Sequence, residues 1–152
     1  MDFTPLNLPN APLKLSQKEG VFFVLCEIRR KKIVLTPEEW VRQHAIHYLI
    51  KQKQVPQGLI ASEIGVKIHK LGRRCDIVVY GKDKKIKILV ECKAPEIKIT
   101  EKTLHQIAHY NAAINADYLW LTNGISHHFI YINRNKQKLE HIEELPNFDL
   151  II

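Results

Sequence analysis

Apolar positions along the chain fall into short blocks whose spacing alternates between two residues and about 3.6 residues, the periods of strand and helix. Val21–Arg29 is apolar and rich in β-formers; the basic turn Arg29–Lys32 and then Ile33-Val34-Leu35 follow, which predicts a short hairpin. Thr36-Pro37-Glu38-Glu39 reads as a helix start. Threonine caps, proline takes the first helical position, where its missing N–H costs nothing, and Glu39 stands where a capping box places a carboxylate. Trp40, Val41, Ala45, Tyr48 and Leu49 supply the apolar stripe, and the helix is expected to reach about Lys53, before Pro56 and Gly58.

Three strands are predicted next: Leu59–His69, Cys75–Tyr80 and Ile86–Lys93, with turns at Leu71-Gly72 and Gly81–Lys84. Ala94-Pro95 ends the third, and a second helix over about Thr100–Ile114 again opens on a threonine. A strand at Tyr118–Thr122 stops at Asn123-Gly124, and another follows at His128–Ile132. Residues 1–20 hold three of the seven prolines and read as an extended arm on the surface; residues 139–152, acidic then apolar, receive no assignment. Helix, three-strand meander, helix, strand (αβββαβ) defines an α/β domain whose mixed central sheet is flanked by helices, preceded by an N-terminal β-hairpin. Residues 21–152 are expected to form one domain. The third and fourth strands are joined through a helix, so they should be parallel with a right-handed crossover.

Composition narrows the class. At 152 residues with 45% hydrophobic content, the chain can bury a core without disulfides. Its three cysteines, Cys26, Cys75 and Cys92, form no CxxC pair, which argues against a disulfide framework or a zinc ribbon. Met1 to Leu15 lacks a charged segment followed by an apolar run, and no apolar stretch approaches the ~20 residues that cross a bilayer, so a cytoplasmic location is expected. The net charge of +7 favours a polyanionic partner, because each neutralised phosphate releases counterions.

Candidate chemistry lies on the second and third strands of the meander. With Asp83-Lys84 as the central pair of their turn, Lys82 faces Lys85; counting back, Asp76 faces Glu91 and Cys75 faces Cys92. Period two then gathers Asp76, Glu91 and Lys93 on one face and pairs the cysteines on the core side. Two facing carboxylates destabilise a bare pair by a few tenths to about 1 kcal/mol. A divalent cation between them removes that cost, and hard oxygen ligands suit Mg²⁺. Lys93 beside a bound water would orient or deprotonate it and offset charge on a phosphorane-like transition state. A solvated salt-bridge face is the plain alternative, since Glu-x-Lys triplets are common where 26% of residues are charged. The order favours chemistry: Asp opens one apolar strand, Glu-x-Lys closes the next, and a helix follows.

Arg73-Arg74-Cys75-Asp76-Ile77-Val78-Val79-Tyr80 followed by Ile88-Leu89-Val90-Glu91-Cys92-Lys93-Ala94-Pro95 resembles the N-terminal nuclease domain of type I restriction enzyme R subunits, within the PD-(D/E)XK superfamily. Thr36-Pro37-Glu38-Glu39-Trp40-Val41-Arg42-Gln43, Gln106-x-x-x-Tyr110 (like the QxxxY motif of type I nucleases) and Leu121-Thr122-Asn123-Gly124 extend the resemblance over residues 20–133. One departure is that Cys75 stands where the family has proline. The resemblance implies a restriction-endonuclease-like core and Mg²⁺-dependent hydrolysis of DNA, with Mn²⁺ as substitute. It implies metal ligation by Asp76 and Glu91, the Cys92 backbone carbonyl as third ligand, and Lys93 as catalytic lysine. Such folds often add a glutamate from the first helix. Glu39 fits that position, with a capping role as its alternative, and Glu63 is a second candidate. Gln106 and Tyr110, four apart on one helix face, either contact nucleic acid or pack on the sheet; Arg73 and Arg74 join them as nucleic-acid-binding candidates.

A chain this short has no room for a helicase motor, so a stand-alone nuclease is expected, or a module working with restriction-modification or translocase subunits; a homodimer is compatible with either. The competing function is a nucleic-acid-binding or assembly module that keeps the fold and cleaves nothing. His105 and His109 share a helix face without a third ligand, and His127 and His128 point to opposite sides of a strand, so neither pair is taken as a metal site.

Overall fold

The apolar block after residue 14 becomes three antiparallel strands, β1 (Leu15–Lys18), β2 (Val21–Cys26) and β3 (Lys31–Val34). The structure, a computed structural model, describes residues 3–68 and 71–151, the side chains of residues 66–73 excepted. The expected hairpin is β2–β3. The end of the expected arm adds β1, which pairs Leu15 with Val24 through Lys18 with Val21.

Helix α1 (Pro37–Lys51) starts as its sequence dictates: Thr36 Oγ1 accepts the Glu39 N–H at 3.0 Å. Then come β4 (Ile60–Ile68), β5 (Leu71–Tyr80), β6 (Ile86–Cys92), α2 (Glu101–Ile114), β7 (Tyr118–Thr122), β8 (His127–Asn133) and β9 (Lys138–Ile142). These strands form one six-stranded sheet in the order β4-β5-β6-β7-β8-β9. Among the described residues only β6 and β7 pair in parallel, joined through α2, as the crossover argument requires. The unassigned tail supplies β9, a largely exposed edge strand, and a short 3-10 turn at Phe148–Leu150.

The sheet is covered on both faces. Val41, Ala45 and Leu49 of α1 pack with Ile77, Val79, Ile88, Val90 and Trp120. Ile107 of α2 packs with Val78, Leu89, Leu119 and Leu121 on the other face. Burial of a side chain of this kind contributes about 1.5–3 kcal/mol, so the two layers fix where α1 and α2 stand over the sheet.

The β5–β6 turn differs from expectation by one residue. Lys84 N–H donates to the Gly81 carbonyl at 3.0 Å and Gly81 N–H to the Lys85 carbonyl at 2.8 Å, so Lys82-Asp83 are central and Lys84 is left-handed (φ 68°). Tyr80 therefore pairs with Ile86, and a bulge between Val79 and Tyr80 absorbs the shift. Beyond it Val79 faces Ile88 and Ile77 faces Val90, the register expected from sequence.

Residues 3–8 cross α1 and the β7–β8 turn. Trp40 Nε1–H donates to the Thr4 carbonyl at 3.0 Å, and Asn7 N–H to the Gly124 carbonyl at 2.8 Å. Gly124 has φ +85°, and a Cβ there would meet Leu6 Cδ2 at 2.7 Å. Gly124→Ala is expected to cost about 1–3 kcal/mol through strain and crowding, read as a lower urea midpoint. His127 anchors the same crossing: its Nε2 lies 2.8 Å from the Asn7 carbonyl and its Nδ1 2.8 Å from Thr122 Oγ1. Burial holds His127, His44 and His47 below the ordinary imidazole pKa. The unfolded chain then binds protons more readily than the folded one, so stability is complete above about pH 6.5 and declines as pH falls through it. Urea midpoints measured between pH 5 and pH 8 should rise with pH, and His127→Gln should flatten part of that rise.

Candidate active site

Asp76 lies at a place where strict alternation fails. Glu63 on β4 has φ 53°, and the β4–β5 ladder passes from the Ser62–Ile77 pair to the Ile64–Cys75 pair around it. Ile77 belongs to the α1-side core, yet Asp76 next to it also reaches α1, and Cys75 joins the α2-side core. Alternation has slipped by one residue. The two cysteines expected side by side therefore lie on opposite faces: Cys92 packs with the α1 layer and Cys75 with the α2 layer.

The slip seats the Asp76 carboxylate between β5 and β6. Its Oδ2 accepts the Cys92 N–H at 2.7 Å, where a ladder bond would otherwise run, and its Oδ1 accepts from Arg42 NH2 at 2.9 Å. Ser62 Oγ–H donates to the Asp76 carbonyl at 3.1 Å. Glu91 and Lys93 flank Cys92 on the other side of the strand, with Lys93 Nζ 3.6 Å from Glu91 Oε1. The Lys93 backbone is pinned by its N–H to the Thr122 carbonyl at 2.8 Å, and Asn123 Nδ2–H bonds the Ile97 carbonyl at 2.9 Å. Leu121-Thr122-Asn123-Gly124 thus serves to fix the segment that carries Lys93.

Glu91 and Lys93 line a shallow groove with Thr103, Gln106, Ile107 and Tyr110 of α2. Gln106 and Tyr110 accordingly stand beside the lysine and are not confined to the core. Arg74 borders the adjoining groove with Glu91 and Tyr110; its side chain is exposed, 3.9 Å from Glu63 Oε2. The side chain of Arg73 lies outside the described residues.

The two glutamates named as extra ligands are both engaged. Glu39 is buried, with Oε1 on Arg42 NH1 at 2.6 Å and Oε2 on Gln43 Nε2 at 3.0 Å. Glu63 accepts from Arg29 NH1 at 2.8 Å and stands 3.3 Å from Arg42 NH1. Sequence reasoning passed over Glu38 and Arg42. Glu38 Oε1 accepts from Arg42 NH2 at 2.8 Å, while its side chain remains 45% exposed. Burial and the nearby charge of Asp76 push its pKa up, against the pull of Arg42 and Lys93. Their i,i+4 spacing on one helix face was the available signal.

Arg42 binds this acidic cluster. Burial alone would favour its neutral form, but the attraction of Asp76 and Glu39 outweighs burial and raises its pKa, so it stays charged. The Cys92 thiol is pushed well above its usual range by burial, then by Asp76. A buried thiol held in its protonated form is a poor nucleophile and a poor thiolate donor.

The carboxylates of Asp76 and Glu91, with the carbonyl of Cys92 next to Glu91 in the chain, are hard oxygen donors. Among the described residues no three His, Cys, Asp or Glu side chains converge as a ligand set. Mg²⁺ keeps several waters and takes one or two carboxylates, so the donor chemistry fits that ion.

The fold is that of a restriction-endonuclease-like α/β domain, with the αβββαβ order running from α1 to β7. The chain belongs to the family of the type I restriction enzyme R protein N terminus, whose model matches residues 37–146. Among solved structures, a fragment of an inferred HsdR subunit of a type I restriction enzyme from Vibrio vulnificus YJ016 matches with a TM-score of 0.56 and 14% identity. The match covers 77% of this chain but only 24% of that one, so the chain corresponds to about a quarter of that fragment. An inferred nuclease of the DUF820 group from Anabaena variabilis ATCC 29413 matches with a TM-score of 0.47 and 16% identity over 93% of this chain and 86% of that one. No curated protein matches. None of the helices among the described residues is long and apolar enough to cross a membrane.

All three cysteines are free and buried. A thiol reagent should therefore label none of them in the native protein and all three after unfolding in urea; rapid native labelling of Cys92 would contradict its placement.

Proposed function

We propose that this chain is a metal-dependent nuclease domain that hydrolyses DNA phosphodiester bonds, using Mg²⁺ with Mn²⁺ as substitute. The observation that supports it most is the seat of Asp76 between β5 and β6, bonded to the amide of Cys92, with Glu91 and Lys93 on either side of that residue. Asp76, Glu91 and the Cys92 carbonyl would hold the ion. When bound, it would polarise the scissile phosphate and lower the pKa of a coordinated water.

Lys93 contributes a partly exposed ammonium whose backbone is pinned to β7, so its position is set by the sheet. Its charge would orient the attacking water and offset negative charge developing on the phosphate. Gln106 and Tyr110 border the groove from α2 and would place the sugar-phosphate backbone across Glu91 and Lys93. Glu38 is the better candidate for the carboxylate supplied by the first helix, since it is partly open to solvent while Glu39 is enclosed. Family membership supports a role alongside restriction-modification or translocase subunits, and the net charge of +7 supports a polyanionic substrate.

Incubation with supercoiled plasmid tests the reading. The wild-type protein should nick it when Mg²⁺ or Mn²⁺ is present and not in chelator, and Lys93→Ala should nick at least about 100-fold more slowly. Gln106→Ala should raise KM with a smaller effect on kcat. Equal nicking by wild type and Lys93→Ala would overturn the assignment. DNA binding that persists in chelator without any cleavage would favour a binding or assembly module that keeps this fold.

A further inference from the structure

Arg42 lies on the sheet side of α1, with its side chain only 6% exposed. Through NH2 it bonds Glu38 Oε1 at 2.8 Å and Asp76 Oδ1 at 2.9 Å; through NH1 it bonds Glu39 Oε1 at 2.6 Å and faces Glu63 Oε1 at 3.3 Å. Its Nε is buried without a hydrogen bond, so the guanidinium acts wholly through its two terminal nitrogens. Four carboxylates from α1, β4 and β5 thus converge on one cation. Arg29, 2.8 Å from Glu63 Oε2, offsets part of the remaining negative surplus from the other side.

Carboxylates withdrawn from water are costly unless paired, and removal of one partner of a buried pair leaves the others uncompensated. The slip at Glu63 and Asp76 is what turns both acids toward α1 and within reach of Arg42. The acidic end of the site is therefore assembled around a cation that the chain itself supplies. A divalent ion approaching Asp76 feels two opposed effects: the surplus of carboxylates attracts it, and the guanidinium already on Oδ1 repels it.

We propose that Arg42 is a positioning residue and the resident counter-cation of the site. It holds Asp76 and Glu38 in place without metal, and its charge sets how tightly a divalent ion binds at Asp76. The inference deepens the nuclease reading and rests on it for any effect on cleavage. Its own test is binding and stability.

The full chain and its Arg42→Gln and Arg42→Lys variants are melted in chelator and in millimolar MnCl₂, and Mn²⁺ affinity is measured by electron paramagnetic resonance of the free ion. Arg42→Gln should melt below wild type in chelator, recover most of that loss with Mn²⁺, and bind Mn²⁺ about tenfold more tightly. Arg42→Lys keeps the charge but loses the fork, so it should melt lower than wild type while keeping wild-type Mn²⁺ affinity. A merely structural ion pair would lower stability without tightening metal binding. The proposal is overturned by an Arg42→Gln protein that melts like wild type in chelator or binds Mn²⁺ no more tightly. It is also overturned by an Arg42→Lys protein that binds as tightly as Arg42→Gln. Should Arg42→Gln fail to fold in chelator, folding restored by Mn²⁺ supports the proposal and failure to fold with Mn²⁺ overturns it. Plasmid nicking by Lys93→Ala bears on the nuclease reading alone, so the two can fail separately.

Discussion

The site depends on one carboxylate tied at both ends. Asp76 gives one oxygen to the amide of Cys92 and the other to the guanidinium of Arg42, and so couples β5 to β6 and both to α1. The first bond brings Asp76 against the residue that separates Glu91 from Lys93. The second draws the acids of the first helix to the same end of the sheet. Both require Asp76 to turn away from the face that regular alternation would give it, and the left-handed backbone of Glu63 on the neighbouring strand accompanies that turn. Residues outside glycine adopt that region at a cost, and such strain tends to persist where function or dense packing demands it.

Much of the fold was legible in the residues. Thr36-Pro37 and Thr100 set the two helix starts because their capping chemistry is local. The parallel pairing of β6 with β7 followed from a helix lying between two strands. The register that sets Val79 against Ile88 and Ile77 against Val90 was also recovered, although the turn assumed for it was one residue off. A bulge at Val79 and Tyr80 compensates for the true turn at Lys82-Asp83, and no sequence rule requires that compensation. β1 and β9 escaped notice because each is short, largely exposed and lacks an apolar run.

For the candidate residues, neighbourhood was more legible than geometry. Asp76, Glu91 and Lys93 come to the same end of the sheet, but period two placed them on one face with Cys75 and Cys92 paired behind them. The slip at Asp76 separates the cysteines and hands Asp76 to α1. It was invisible because Glu63 carries none of the usual marks of a left-handed residue. Arg42 was missed for a related reason. An arginine inside a helix ordinarily reads as part of a solvated face, and the tertiary fold shows it buried among four acids.

The proposed nuclease activity requires Asp76 and Glu91 to share a divalent ion at the end of β6, within reach of Lys93. Anomalous diffraction from a crystal soaked in MnCl₂ tests this most directly. The account predicts a peak bounded by both carboxylates and the Cys92 carbonyl. A peak elsewhere, or none in a crystal whose site is open to solvent, would contradict it.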